Sequence, residues 1–224
     1  MDENFFPNIH RAKSIIKFFK TIPVTWEADC RADYFRDNFI DDLVLESMRE
    51  SGCKMLRIGL ESGSENMRGI LKKDITEDDI IKAVEKCAQY DIQPMVSYMI
   101  GMPHETRQDI IKTINLMSKL QKIAPDIIHS GPQLFRPYPG GELYDYCVKS
   151  GYYEPKTLRE WYAANPGDFL ATGKYTWMTD QAFTLDMIMA MILVDKENSR
   201  AWPMTPDFRT SKMLLKPFLR KIAV

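Results

Sequence analysis

The sequence lacks the features that indicate membrane or nucleic-acid binding. Its formal net charge is −1 over 224 residues, so bulk charge favours neither nucleic acid nor an anionic membrane. No apolar run reaches the roughly 18 residues that a membrane-spanning helix needs. The opening stretch MDENFFPNIHRAKS also lacks the apolar core of a signal peptide. A cytoplasmic setting is therefore the expectation.

Closely spaced metal ligands are absent as well. No CxxC or CxxxC pair is formed by the four cysteines, which are Cys30, Cys53, Cys87 and Cys147. A local zinc or iron–sulfur site is not encoded, and free thiols in helices and strands are the simpler interpretation. His104 precedes Glu105 but lacks the second histidine of an HExxH motif. His10 and His129 are predicted to be structural.

The apolar pattern alternates between strand and helix periods as far as about residue 155. An apolar content of 45% and a charged content of 27% are those of an ordinary globular protein. Strands are predicted in PVTWEADCRAD, CKMLRIGL, IQPMVSYMIGMP and PDIIHSGPQLF. Amphipathic stretches separate them, such as TEDDIIKAVEKCAQYD, where Thr76 is the predicted N-cap and Asp79 follows three residues later. A strand every ~30–40 residues, with a helix between, predicts an α/β fold with a parallel sheet.

The alternation ends after about residue 155. EWYAANPGDFLATGKYTWMTD predicts an irregular covering segment. QAFTLDMIMAMILVDKENSR predicts a methionine-rich helix, in which core packing is a better explanation than a cofactor surface. LLKPFLRKIAV predicts a docked or frayed basic helix rather than a membrane anchor. We therefore expect a core domain over residues 1–152 and an irregular and helical extension over residues 153–224.

The predicted carboxyl ends of the strands are polar or rich in glycine and proline. They read EADCRAD, GLESGSE, SYMIGMPHET and FRPYPGGELY, and ligands bind at such ends in parallel sheets and barrels. Together with DENFFPN and KKDITEDDIIKA, these stretches resemble the radical SAM superfamily. Within it they resemble the branch that usually carries an N-terminal cobalamin-binding domain and includes the anaerobic magnesium-protoporphyrin IX monomethyl ester cyclase type. The resemblance covers about residues 2–150.

The resemblance implies a (β/α)6 barrel of radical SAM type. In relatives, a CxxxCxxC loop after the first strand holds a [4Fe-4S] cluster. The cluster cleaves S-adenosylmethionine to a 5′-deoxyadenosyl radical, and S-adenosylmethionine is also used with cobalamin for methyl transfer. The substrate is a small molecule whose identity stays open.

The cluster loop is missing from this sequence, and DENFF matches the segment after the second barrel strand. We therefore expect strands three to six of the barrel, in a chain that is inactive alone. The cluster loop and cobalamin domain would belong to an upstream-encoded segment. The alternative is a non-catalytic binding or scaffold module derived from a decayed barrel.

The resemblance also implies a pocket for S-adenosylmethionine. Glu27 matches a position facing the methionine ammonium, Glu61 a ribose acceptor, and Lys73 a basic residue near the methionine carboxylate. Further candidates, including the strand segment whose backbone pairs with adenine, are Arg31, Ser62, Ser97, Met99, Ile100, Gly101 and Met102. No catalytic residue is assigned.

Simpler roles remain open for the charged candidates. Glu27 and Arg31 could pair with each other. Lys73 could form a solvated basic pair with Lys72, and Glu61 could cap a helix. A barrel hydrolase or aldolase using Glu61 and Lys73 is disfavoured, because LKKD is too charged for the apolar pocket of a Schiff-base lysine.

Overall fold

A computed structural model describes residues 4–164 and Trp177. Its centre is a parallel sheet with the spatial order β1-β2-β3-β4. The strands are β1 (Trp26–Cys30), β2 (Cys53–Glu61), β3 (Gln93–Ile100) and β4 (Ile128–Leu134). Each strand lies beside its predecessor, with helix between them, which is the progression of a barrel wall rather than of a doubly wound sheet. The predicted α/β fold with a parallel sheet is confirmed.

Seven helices accompany these strands in the described part of the chain. They are α1 (Ile9–Phe19), α2 (Asp42–Glu50), α3 (Glu65–Ile70), α4 (Glu77–Gln89), α5 (Arg107–Ile123), α6 (Glu142–Lys149) and α7 (Leu158–Ala164). A 3₁₀ segment, Ala32–Asn38, lies between β1 and α2. None of these helices is both long and apolar enough to span a bilayer.

Capping residues fix where the two helices nearest the candidate site begin. Thr76 and Asp79 form a full capping box at the start of α4, which confirms the predicted N-cap. Thr106 and Asp109 repeat this arrangement at the start of α5. Each box satisfies backbone N–H groups that the first turn of a helix leaves without a partner.

The pleat of the strands separates two faces of the sheet. One face is buried beneath the helices, and each of its large aliphatic side chains contributes about 1.5–3 kcal/mol by leaving water. Its members are Ala28, Cys30, Leu56, Ile58, Leu60, Val96, Tyr98 and Ile100. The opposite face corresponds to a barrel interior and carries partly exposed residues such as Asp29, Arg57 and Ser97.

The N-terminal segment covers part of the outer edge of β1. The Phe5 N–H donates to the Asp29 carbonyl at 3.5 Å. The Phe5 ring lies 5.3 Å from that of Trp26, and Phe6 is fully buried. Within residues 4–164, β1 otherwise pairs only with β2, so most of its outer edge is open to a further strand.

Helix α7 corrects one prediction. The sequence predicts an irregular segment from Glu160 onward, but the helix extends to Ala164. The Thr157 hydroxyl accepts from the Glu160 N–H at 3.2 Å, and the Glu160 carboxylate accepts from the Thr157 N–H at 3.2 Å. This capping box is readable in the letters TLRE. Apart from Trp177, the rest of the predicted extension, with its methionine-rich and basic helices, lies outside the described residues.

His129 lies in a buried hydrogen-bonded chain beneath the sheet. Gln121 donates its amide N–H to the Pro125 carbonyl, so its oxygen accepts from His129 Nε2 at 3.0 Å. His129 Nδ1 then accepts from the Tyr98 hydroxyl at 2.7 Å. Burial lowers the pKa of His129 to about 4. This placement accords with the structural role predicted for His129.

We predict that His129 makes the fold sensitive to acid. Between pH 6.5, the ordinary pKa, and about pH 4, the unfolded chain binds a proton that folded His129 does not. The free energy of unfolding therefore falls as pH falls, by on the order of 3 kcal/mol in total. Because Glu105 titrates with the opposite sign in part of this range, the test is the difference between proteins: the free energy of unfolding of wild type minus that of His129→Gln should rise from pH 4 to pH 6.5 in chemical denaturation. The exposed His10→Gln serves as control, and equal slopes in all three proteins would contradict the prediction.

Candidate functional site

All four strands contribute to a hollow on the barrel-interior face of the sheet. Its volume is about 320 Å³. Polar and charged side chains around it include Asp29, Arg31, Arg57, Lys73, Ser97 and Ser130. Strand register explains the convergence, because Gly59 is opposite Ser97 and Ser97 is opposite Ser130. The hollow thus joins residues from distant parts of the sequence.

Lys73, which lines this hollow, forms an ion pair over Gly59 with Glu61, which is not among the lining residues. Lys73 Nζ donates to Glu61 Oε1 at 3.0 Å. Glu61 ends β2 with φ of 66°, beyond a register shift in the β2–β3 pairing. A Cβ on Gly59 would lie 2.7 Å from Glu61 Oε1 and 3.2 Å from Lys73 Nζ. The missing side chain therefore makes room for the pair. The structure shows neither a helix cap at Glu61 nor a solvated Lys72–Lys73 pair.

Glu27 lies apart from this ion pair. It is in register with Met55, and Gly59 lies roughly 13 Å further along the strand axis. Its carboxylate pairs instead with Arg57, which also donates to Asp29 Oδ1 at 3.4 Å. The sequence analysis missed Arg57. It is two residues from Gly59 in β2, so both lie on the barrel-interior face.

Two other candidates also contact different partners from those expected. Arg31 lines the hollow, but its guanidinium pairs with Asp33 at 2.8 Å rather than with Glu27. The Ser62 hydroxyl is buried 3.3 Å from the Thr113 hydroxyl of α5. The Ser62 side chain therefore does not face the hollow.

The predicted adenine-pairing segment borders a second hollow. This one measures about 580 Å³ and lies at the carboxyl ends of β3 and β4. It is lined by Met99, Gln133, Phe135, Arg136, Tyr138 and Leu143, among others. Ser97 and Met99 are on the same face of β3, so the two hollows follow one another along that strand.

Glu105 holds the backbone of the loop that follows β3. Its Oε2 accepts from the N–H groups of Gly101 at 2.5 Å and Met102 at 3.3 Å. Its Oε1 is buried without a hydrogen-bond partner among residues 4–164. Burial raises the pKa of Glu105 to about 7. The GMPHET loop before a helix was noted in the sequence only because it lacks an HExxH motif. This role of Glu105 was not predicted.

The cysteines do not fit an iron–sulfur cluster. All four are buried and free of disulfides, and no group of three metal-ligating side chains occurs in the part of the chain that the structure describes. Burial raises the pKa of the Cys53 thiol to about 12 and that of Cys147 to about 11. The hollows thus offer carboxylate, ammonium and backbone groups for an organic ligand, without a thiolate site.

Comparison with known proteins identifies the family. Residues 7–117 match the sequence profile of the Radical SAM superfamily. The chain belongs to this superfamily. The matched region contains Glu61, Lys73, Ser97 and the Met99–Met102 segment. The parallel sheet is accordingly part of a radical SAM (β/α) barrel, as the resemblance implies.

The relatives that match by sequence are much longer than this chain. An uncharacterized methyltransferase of Pyrococcus horikoshii is 28% identical over 168 residues, which are 74% of this chain and 34% of the relative. An uncharacterized protein of Methanocaldococcus jannaschii is 34% identical over 116 residues, which are 51% of this chain and 25% of the relative. The chain thus spans about a third or less of these two relatives.

Comparison with solved structures gives a partial match. TsrM from Kitasatospora setae is a radical S-adenosylmethionine methyltransferase, solved with cobalamin and a [4Fe-4S] cluster bound. It superposes with a TM-score of 0.49 at 19% identity, over 60% of this chain and 26% of that one.

We predict that Glu105 makes the fold sensitive to base. Its pKa of about 7 exceeds the ordinary 4.5, so between these values the unfolded chain loses a proton that the folded chain retains. The free energy of unfolding therefore falls as pH rises through this range, by on the order of 3 kcal/mol. Glu105→Gln should lack this contribution, so the free energy of unfolding of wild type minus that of Glu105→Gln should fall as pH rises to 7, as measured by denaturation between pH 5 and pH 8. The exposed Glu85→Gln should behave as wild type, and retention of the full slope in Glu105→Gln would refute this assignment.

Proposed function

We propose that this chain forms the S-adenosylmethionine-binding wall of a radical SAM enzyme that transfers a methyl group. The observation that carries the proposal is the Glu61–Lys73 pair over Gly59, since Lys73 and Gly59 line one hollow together with Ser97. Methyl transfer is supported by the name of the Pyrococcus horikoshii relative, a methyltransferase. The substrate of such an enzyme stays open.

The charged groups suit the parts of this ligand. The Glu61 carboxylate would accept from the ribose hydroxyls, and the Lys73 ammonium would meet the methionine carboxylate. Asp29 lines the same hollow, so it is better placed than Glu27 to meet the methionine ammonium. These contacts would replace the direct Glu61–Lys73 bond in the bound state.

The adenine end would lie along the second hollow. Gly101 has φ of 85°, which suits a residue without a side chain, and its carbonyl accepts from the Trp177 indole N–H at 3.0 Å. Glu105 occupies the N–H groups of Gly101 and Met102 and thereby holds this turn in shape. Met99 lines the hollow from β3. The ligand would thus extend along β3 from Ser97 toward Gly101.

Binding by this chain alone should be weak. Charge-assisted hydrogen bonds contribute about 1.5–3 kcal/mol each, so three of them sum to roughly 5–9 kcal/mol. Lost translational and rotational freedom costs about 4–15 kcal/mol. The difference allows at most a millimolar-range affinity. Coordination of the methionine end to iron would have to supply the remaining binding free energy.

The cluster would be held by residues outside this sequence. The buried thiols form no metal-holding group among the described residues, and no CxxxCxxC motif occurs in residues 1–224. In radical SAM enzymes the cluster supplies the electron for the reaction. An upstream-encoded segment with the cluster loop, and with a cobalamin domain, is the partner we propose. No described residue is assigned to cobalamin.

A non-catalytic module on a decayed barrel is the second candidate function. The absent cysteine motif favours it, whereas the retained Glu61–Lys73 geometry does not. The two candidates differ in whether the hollow still recognises S-adenosylmethionine.

We predict that Lys73, but not its neighbour, contributes to ligand binding. Ligand-observed NMR titration with S-adenosylmethionine should give a millimolar dissociation constant for wild type. Lys73→Met should weaken it about tenfold or more, because a charge-assisted contact is lost. Lys72→Met is the matched control, since Lys72 is exposed and pairs with Glu142 away from the hollow. Equal binding by both variants, or no binding by wild type, would refute the proposed cradle.

We also predict that the chain assembles no cluster by itself. Anaerobic reconstitution with iron and sulfide should yield no [4Fe-4S] spectrum and no cleavage of S-adenosylmethionine, because the thiols are buried and form no metal-holding group among the described residues. The measurements are ultraviolet–visible and electron paramagnetic resonance spectra, with chromatography of the nucleoside products. A [4Fe-4S] spectrum accompanied by cleavage would show that the chain is competent alone.

A further inference from the structure

The segment from Ser62 to Ser64 is polar yet buried, and the proposed cradle does not use its side chains. The two serines are 1% and 0% exposed. They follow Glu61 directly and contact helix α5, on the helix-covered side of the sheet. Their contacts therefore decide how Glu61 leaves the end of β2.

The hydroxyl of Thr113 is the centre of these contacts. It donates to the Asp109 carbonyl at 3.1 Å, so its lone pairs are left to accept. It accepts from the Gly63 N–H at 2.9 Å and from the Ser62 hydroxyl at 3.3 Å. The Ser62 oxygen in turn accepts from the Ser64 N–H at 3.1 Å. Every donor of this buried group is thereby satisfied.

The close approach of the loop to α5 is possible because of Gly63. A Cβ at this position would lie 2.5 Å from the Thr113 Cα and 2.7 Å from the Lys112 carbonyl oxygen. Both are backbone atoms, which cannot move aside as a flexible side chain can. The loop is therefore held by van der Waals contact with the α5 backbone as well as by the hydroxyl.

Asp109 extends the same cluster to the loop after β3. Its Oδ1 accepts from the Ser64 hydroxyl at 2.5 Å, while its Oδ2 accepts from the Thr106 N–H at 2.9 Å. Thr106 ends the loop that contains Gly101 and Glu105. One carboxylate thus connects the loops that follow β2 and β3.

We propose that Thr113 is a positioning residue of the cofactor site. From the far side of the sheet it holds Gly63 and Ser62, and so sets the direction in which Glu61 meets Lys73 over Gly59. This inference rests on the proposed function, because it concerns the same hollow. It goes further by assigning control of that hollow to a residue that does not line it.

The first test measures the loop without a ligand. In Thr113→Val, amide hydrogen exchange of residues 60–73 should rise about tenfold or more, because a buried donor loses its acceptor. Exchange in β1 and β3 should stay at the wild-type rate. Thr113→Ser keeps the hydroxyl and should restore protection. An equal rise in all segments, or none in residues 60–73, would overturn the inference.

Ser51→Ala is the matched control for lost buried polarity. Ser51 is 3% exposed and its hydroxyl donates to the Met48 carbonyl at 2.8 Å, before the amino end of β2. It should raise exchange near that end and leave residues 60–73 unchanged. If Thr113→Val does not fold, Ser64→Ala removes the link to Asp109 and makes the same prediction for residues 60–73.

The second test measures S-adenosylmethionine binding by the same NMR titration. Thr113→Val should bind about fivefold or more weakly than wild type, whereas Thr113→Ser and Ser51→Ala should match it. Wild-type affinity in Thr113→Val would overturn the inference alone. Absence of binding in wild type would overturn the proposed function, and with it the cofactor role of Thr113.

Discussion

The pleat of four parallel strands is the constraint on which this molecule depends. Successive side chains point to opposite faces, so one face can be covered by helices while the other carries charge. The covered face is apolar, from Ala28 to Ile100. The other face can accommodate Arg57 and Glu61 because neither has to enter the core. A single-residue slip in register would exchange the two faces at once.

The ion pairs on the open face contribute little to stability. Side chains of Glu61 and Lys73 are 20% and 31% exposed, and such partly solvated pairs typically contribute about 0–1 kcal/mol. Their value lies in recognition, because each group can exchange its partner for a ligand group at small cost. Stability comes instead from the helix-covered face and from the capping boxes of α4 and α5.

The four strands and several of the helices, although not α7, were readable from the sequence because local signals agree with the fold. Period and capping residues predict β1 to β4 and the start of α4 correctly. The contact between Glu61 and Lys73 was not readable, since it depends on the turn of α3 and on the space above Gly59. The separation of Glu27 from that pair depends on the β1–β2 register, which alternation alone leaves undetermined.

The outer edge of β1 restricts the sequence and the register of any strand that could pair with it. Asp29 already gives its carbonyl to Phe5, and the Trp26 N–H points to the other side, toward the Gly52 carbonyl, so the outward backbone groups that remain include those of Glu27. An added strand would need apolar side chains in register with Ala28 and Cys30 and polar side chains in register with Asp29. Near this edge, Arg57 pairs with both Glu27 and Asp29, which leaves one negative charge in excess. A lysine or arginine on the added strand would balance that charge. Geometry and charge together would thus select one alignment from the many that backbone pairing alone permits.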